Sequence, residues 1–346
     1  MAILAFVRNL KERTPLIEQN KQKVMFKVLN ILQQKSLRAI EKAKNQILAE
    51  KIESKKARKA LEYYVQSWND TTHPGILALA CEAVGGNIAK AMPMQIAMLY
   101  LTAAMDLHDD VIDQSEIKDA KPTVFGKYGK DISLLLGNAM MIKGFTCLCD
   151  YSKIDRDTFE AIICAIRTYL FDVGNAHLLE IDAKGNVDIS PERYLPIIEK
   201  KARIIEAHTK IGAIIGNGSS DEIEDLAQYG KILGILIGLR EEFIDVFEPK
   251  ELQTRMKNEI LPLPLLYAFK NSKIRSQISN ILSKPKISEE EAEKVVEYVF
   301  QNENVKELKK YILDLARKAR DIASKIGNER IERNLILLVD GALEDL

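Results

Sequence analysis

Cysteine, histidine, aromatic residues and net charge are all scarce in this chain of 346 residues. The 4 cysteines, Cys81, Cys147, Cys149 and Cys164, are too few and too scattered for a disulfide scaffold. They fit a reducing compartment, so a cytoplasmic protein is expected, with Cys147 and Cys149 as small residues on a buried helix. Among the 4 histidines there is no pair at ligand spacing beside a Cys or Asp, which removes the usual signal for zinc. Basic and acidic side chains balance at 50 each, so no overall positive field favours a phosphate backbone, and nucleic acid is not an expected partner. Low Gly (17) and Pro (10) beside 47% hydrophobic residues exclude disordered and collagen-like chains. Long apolar runs are missing too. The longest uncharged stretch, residues 91–105, contains Pro93 and falls short of the ~18 residues of a membrane span. The apolar start before Arg8 is too short for a signal-peptide core.

What is present is helical periodicity. Apolar residues recur at spacings of three and four through Val24, Phe26, Val28, Leu29 and Leu32, through Ile96, Met98, Leu99 and Leu101, and through Ile232, Leu233, Leu236 and Ile237. Alternating strand patterns are lacking. Breaks are expected at Gly85-Gly86, Lys184-Gly185-Asn186, Gly216-Asn217-Gly218 and Asn271-Ser272, and Ser190-Pro191 reads as an N-cap followed by a first-turn proline. The pattern predicts an all-α protein, one helical domain over residues 1–346, with roughly ten to twelve helices and short connections. Neutrality conceals an asymmetry: residues 1–60 carry 15 Lys or Arg against 5 Glu, and the remaining 286 residues carry a net charge of −10. That basic helical segment reads mainly as a solvated face docked on a bundle, with peripheral contact to anionic lipid as the alternative.

Two acidic constellations carry the chemistry. Leu107-His108-Asp109-Asp110-Val111-Ile112-Asp113 closes an apolar helical pattern, and the spacing of four puts Asp109 and Asp113 on one face with Asp110 beside them. Three crowded carboxylates drive one another toward protonation unless a cation intervenes. Magnesium suits this arrangement, since it takes hard oxygen ligands and bridges carboxylates to a substrate phosphate. A capping role is excluded because the helix lies before the aspartates, where acids oppose the macrodipole. A second cluster, Leu239-Arg240-Glu241-Glu242-Phe243-Ile244-Asp245, follows 132 residues later with acids at the same i, i+1 and i+4 positions. Metal ligands are therefore expected at Asp109, Asp110, Asp113, Glu241, Glu242 and Asp245, holding up to three Mg²⁺ ions around a diphosphate.

With its flanks, the first cluster resembles the trans-isoprenyl diphosphate synthase (polyprenyl synthetase) family of the class I isoprenoid fold. The likeness runs from about residue 60 to the C-terminus. Asp109-Asp110-x-x-Asp113 followed by Lys121-Pro122-Thr123-Val124 and Lys127-Tyr128-Gly129 resembles the first aspartate-rich region, and Pro74 with residues 80–86 is similar to the stretch after the basic substrate motif. Lys257-Asn258-Glu259-Ile260 and Leu263-Pro264-Leu265-Leu266 resemble the close of the second aspartate-rich region. The resemblance implies a large helical bundle with a central cavity, a dimer (a homodimer or a heterodimer with a related synthase), an allylic prenyl diphosphate substrate and Mg²⁺. It assigns catalysis to Asp109, Asp113 and Lys201, and substrate binding to Lys118, Lys201 and Arg240. Ala104 and Met105 would sit where bulky residues close the tail pocket, so a donor of farnesyl length or longer is expected.

Departures from the family pattern concentrate on the acceptor. Asn69-Asp70-Thr71-Thr72-His73-Pro74 replaces Gly-Lys-x-x-Arg-Pro, Thr102 replaces a usual histidine, Lys118-Asp119 replaces an Arg-Arg pair, and the C-terminus ends in Glu344-Asp345-Leu346 without basic residues. Nearer the donor, Leu178, Gly238 and Ala202 replace common polar residues. The expected function is therefore a Mg²⁺-dependent prenyltransferase that ionises an allylic diphosphate and passes the cation to an acceptor other than isopentenyl diphosphate. Three alternatives stand beside it: a chain-elongating synthase in which Lys59, His73 or Lys127 substitutes for the lost cations, a terpene cyclase, and a non-catalytic partner subunit. The cyclase is disfavoured by an aromatic content of 6%.

Overall fold

The computed structural model describes residues 15–118, 120–150, 155–344 and 346. Asp119, Asp345 and the start of the basic segment, residues 1–14, lie outside them. Among the described residues there are sixteen helices and one two-stranded ribbon. In chain order they are α1 (Pro15–Leu48), α2 (Lys55–Ser67), α3 (Thr72–Ala83), α4 (Ile88–Ile112), β1 (Ile117–Lys118), β2 (Lys121–Pro122), α5 (Val124–Tyr128), α6 (Lys130–Asp150), α7 (Arg156–Ala183), α8 (Pro191–Lys201), α9 (Arg203–Ile215), α10 (Ser220–Asp245), α11 (Pro249–Asn258), α12 (Leu263–Ala268), α13 (Ser272–Leu282), α14 (Glu289–Phe300), α15 (Glu303–Ala323) and α16 (Glu329–Ala342). The all-α expectation holds. The larger number of helices comes from short pieces such as α5 and α12, which periodicity cannot resolve.

Local chemistry sets the helix starts. Asn87 accepts a hydrogen bond from the Ala89 N–H (2.9 Å), Thr123 accepts from Gly126 (2.9 Å), and Ser288 and Glu291 form a reciprocal capping box. All four expected breaks fall between helices, Asn271 serving as the N-cap of α13. Ser190 is the N-cap residue of α8 and Pro191 its first helical residue, as expected, although the Ser190 side chain makes no cap hydrogen bond. Pro93 lies inside α4, in its second turn.

The chain forms two compact units, residues 1–163 with 211–222 and residues 164–210 with 223–346. In the first unit α4 is the central element, buried along most of its length from Ala91 to Leu107. Gln95 ties it to its neighbours by donating to the carbonyls of Lys35 on α1 (2.9 Å) and Pro74 on α3 (2.7 Å). Tyr100 is a core tyrosine, its hydroxyl bonded to the Ala43 carbonyl (2.6 Å) and its ring 5.8 Å from that of Trp68. On the opposite side α6 approaches closely because Gly144 has no Cβ; one built there would lie 2.8 Å from a Leu101 methyl and 3.1 Å from the Ala97 carbonyl. In the second unit α10 is held similarly, the Tyr229 hydroxyl donating to the Leu335 carbonyl on α16 (2.7 Å).

Among the described residues two helices are long and apolar enough to cross a membrane by length and composition, Ile88–Ile112 and Lys130–Cys149. This differs from the reading of uncharged runs, because a span tolerates a few charged residues. The first is 67% buried over its most apolar window and the second 33%. Core burial accounts for α4; α6 keeps an apolar outer face, with Leu135, Ile142 and Phe145 exposed.

Gly144→Leu should destabilise the protein by about 1–3 kcal/mol through overpacking between α4 and α6. Gly174→Ala, on α7 where an added Cβ meets nothing within 4 Å, should stabilise by about 0.4–1 kcal/mol. Urea unfolding of the two variants checks both signs.

Candidate active site

The C-terminal end of α4 gathers the acids of the first unit. Thr102, Asp106 and Asp110 follow one another at spacings of four and form one ridge, with Asp109 and Asp113 on the adjacent line. The helix stops at Ile112, where the Asp113 N–H bonds back to the Asp109 carbonyl (2.9 Å). A tight reversal follows, with Gln114 at a positive φ of 55°. The β1–β2 ribbon then returns Lys118 to the acids, its ammonium 2.6 Å from Asp106 Oδ1 and 3.8 Å from Asp110 Oδ1. The partner Asp106 was not legible in the motif spacing, because it lies one turn before the recognisable run.

Electrostatics here favour a cation. Asp110 is buried, and its carboxyl is pushed up to about 7 by that burial and by the charges of Asp106, Asp109 and Asp113, against the opposing pull of Lys118. Burial works against the Lys118 ammonium, but Asp106, Asp110 and Asp109 together hold its proton above the ordinary range. Among the described residues no group of three or more His, Cys, Asp or Glu is already gathered to hold a metal ion. The donor set nevertheless fits Mg²⁺, which takes carboxylate oxygens and completes its shell with water and substrate phosphate. His108 belongs to the scaffold: its ring contacts the Leu134 carbonyl (3.4 Å), and a Cβ at Gly137 would lie 2.4 Å from its Nε2. Ala104 is fully buried in the core cluster and Met105 is half-buried.

In the second unit the acids at the end of α10 are distributed differently. Glu242 is buried, its Oε1 accepting from the Tyr194 hydroxyl (2.8 Å) and from Arg255 (2.9 Å), and its Oε2 from the Leu263 N–H (2.6 Å). These three donors occupy three of the carboxylate's about four lone-pair positions, so a metal role for Glu242 competes with them. Arg255 is the hub, bonding also to Asp245 and to the Ile260 carbonyl (2.8 Å). Burial raises the Asp245 carboxyl to about 6 even with Arg255 opposing it. No sequence signal marked Arg255, one of three basic residues on α11 with Lys250 and Lys257. Glu241 is exposed and lies 3.3 Å from Arg240, whose Nε donates to the Glu344 carbonyl (3.0 Å). Lys201 pairs with Glu180 at 2.6 Å.

Loss of Arg255 leaves the buried Glu242 and the half-buried Asp245 without their countercharge. Arg255→Met should therefore cost about 3–5 kcal/mol, whereas Glu241→Gln, on an exposed side chain, should stay within about 0.5 kcal/mol; thermal or urea unfolding separates them.

Comparison with known proteins now places the chain. The polyprenyl synthetase family model matches residues 54–299. The geranylgeranyl diphosphate synthase of Methanosarcina mazei is 27% identical over 206 residues, covering 59% of this chain and 63% of that protein. The short chain isoprenyl diphosphate synthase of Methanothermobacter thermautotrophicus is 27% identical over 228 residues, covering 66% and 69%. Among solved structures, the geranylgeranyl pyrophosphate synthetase of Pyrococcus horikoshii shares the fold at a TM-score of 0.80 and 17% identity, covering 93% of this chain and 98% of that one. The helical fold, the acid run Asp109-Asp110-x-x-Asp113 and the match over residues 54–299 make this chain a member of the polyprenyl synthetase family.

Proposed function

We propose that this chain is a prenyltransferase that ionises an allylic prenyl diphosphate at the end of α4 and passes the prenyl group to an acceptor other than isopentenyl diphosphate. The observation that carries the donor half is the group of Asp106, Asp109, Asp110 and Asp113 with Lys118 as its paired cation. Mg²⁺ dependence is general in the family; Asp109 and Asp113, with Asp110, would hold the ion, and its charge would stabilise the departing diphosphate. Lys118 offers an ammonium to the same leaving group. In the second unit Lys201 and Arg240 are the diphosphate contacts that the sequence predicts, and Glu241 and Asp245 the accompanying acids. The small Ala104 and flexible Met105 before Asp109 support a donor of farnesyl length or longer.

The acceptor half rests on charge. Asp70 stands at the N-terminus of α3, where the family pattern has a lysine, and it is tied to His73 and Thr102. A second anionic diphosphate brought near Asp70, Asp106 and Asp110 meets three carboxylates against the single ammonium of Lys118. Chain elongation is the second reading, supported by relatives whose names state geranylgeranyl or short-chain diphosphate synthesis.

For the assembly we propose a homodimer through the outer face of α6. Leu135, Ile142 and Phe145 are 65%, 66% and 42% exposed, on the side opposite the buried Leu136, Met140 and Leu148. Each such side chain gains ~1.5–3 kcal/mol when fully buried, and a second copy covers them without requiring lipid.

The donor half is tested by incubating the purified chain with farnesyl, geranylgeranyl and geranylfarnesyl diphosphates and Mg²⁺, with and without isopentenyl diphosphate, while following diphosphate release and prenyl products. Release without isopentenyl diphosphate is the expected result; longer chains formed only in its presence would establish elongation instead. Asp109→Ala should lower release at least ~10²-fold, and unchanged turnover would trace the activity to a contaminant. Ile142→Glu with Phe145→Glu should convert a dimer into a monomer by light scattering.

A further inference from the structure

A hydrogen-bonded pair meets α4 at Thr102, on the ridge that carries Asp106 and Asp110. Asp70 occupies the connection between α2 and α3, and its Oδ1 accepts from the backbone N–H groups of Thr72 (3.1 Å) and His73 (3.2 Å). Its Oδ2 accepts from the His73 ring at Nδ1 (2.8 Å) and lies 3.4 Å from the Thr102 hydroxyl of α4, whose nearer acceptor is the Leu99 carbonyl (3.0 Å). These four contacts fix the carboxylate, and the carboxylate fixes the ring. A carboxylate only accepts, so Nδ1 carries the proton and the lone pair of the neutral imidazole is on Nε2. The His73 side chain is 22% exposed, sheltered but within reach of a ligand.

Thr102 starts the ridge that continues through Asp106 to Asp110. Eight residues of helix place the anchor of the pair ~12 Å from Asp110. Charged groups acting on the ring include Asp70 on its own connection and Asp106 on α4, the latter paired to Lys118; the Tyr64 hydroxyl of α2 feels Asp106, Asp70 and Asp110. Burial works against the imidazolium, but the charge and hydrogen bond of Asp70, with the charge of Asp106, outweigh it and raise the ring's proton affinity.

We propose that His73, oriented by Asp70, is the general base of the transfer, and that the acceptor is a neutral molecule bearing a hydroxyl group. This rests on the donor reading above. The C1–O bond of the allylic diphosphate breaks, its electron pair leaving on diphosphate. A lone pair of the acceptor oxygen forms the new C1–O bond, and the hydroxyl proton passes to His73 Nε2. Asp70 stabilises the imidazolium until that proton is released to solvent. A surplus of carboxylate over cation at this ridge repels an anionic acceptor but not a neutral alcohol.

The test uses the full chain with geranylgeranyl diphosphate, Mg²⁺ and three probe acceptors, namely water alone, benzyl alcohol and isopentenyl diphosphate. Expected products are geranylgeraniol and its benzyl ether. His73→Gln should lower their formation ~10²–10⁴-fold while the affinity for an unreactive thio-analogue of the donor stays unchanged. Activity should rise with pH through the His73 pKa, and Asp70→Asn should move that limb to lower pH, because removing the carboxylate lowers the pKa. Nitrogen NMR of the wild-type ring, independent of any variant's folding, should show Nδ1 protonated in the neutral form. The proposal is overturned by a neutral ring protonated at Nε2. It is equally overturned by a His73→Gln rate and pH profile that match wild type, or by a variant whose sole defect is a raised KM for isopentenyl diphosphate. Absence of diphosphate release with every acceptor would remove the donor reading and this proposal together; release that persists but ignores His73 removes this proposal alone.

Discussion

The end of α4 concentrates like charge where a helix tolerates it least. Carbonyl groups at a helix C-terminus already present partial negative charge, and Asp106, Asp109, Asp110 and Asp113 add to it within two turns. The surrounding features of the first unit answer that repulsion. The β1–β2 ribbon returns Lys118 to the acids, and Asp110 shifts toward its protonated form. Crowded carboxylates of this kind raise folding free energy unless a cation compensates, which is the physical support for the metal and diphosphate site proposed above.

That burden requires a rigid scaffold. Gln95, Tyr100 and the close approach at Gly144 attach α4 to α1, α3 and α6 through buried polar bonds and backbone proximity. An acid cluster on a helix so fixed cannot relieve its repulsion by fraying or rotating. The second unit solves a similar problem differently. There Arg255 neutralises Glu242 and Asp245 internally, and Tyr194 and the Leu263 N–H complete the network. Two runs with the same spacing of acids thus differ in what they have been given: a part-exposed lysine on a ribbon in one case, a buried guanidinium in the other.

The apolar outer face of α6 illustrates how composition misleads in isolation. Its length and apolarity satisfy the criterion for a membrane span, as do those of α4. The two differ in burial: α4 lies within the core, whereas Leu135, Ile142 and Phe145 of α6 face outward. Apolar surface on one stripe of an otherwise docked helix is what the proposed dimer interface would cover.

By itself the sequence determined the helical class, the four principal breaks and the position of the first acid cluster at a helix end. Those properties are local: they follow from 3.6-residue periodicity, from Gly and Asn in turns, and from aspartates that follow an apolar helical pattern. Tertiary structure alone decided the partners. That Lys118 meets Asp106, that Asp70 clasps His73 and Thr102, and that Glu242 is enclosed by Tyr194, Arg255 and Leu263 depend on residues 12, 32 and 48 positions apart, among others. The charge state and hydrogen-bond commitments of a carboxylate are set by burial and by neighbours from other elements, and spacing along one helix carries neither.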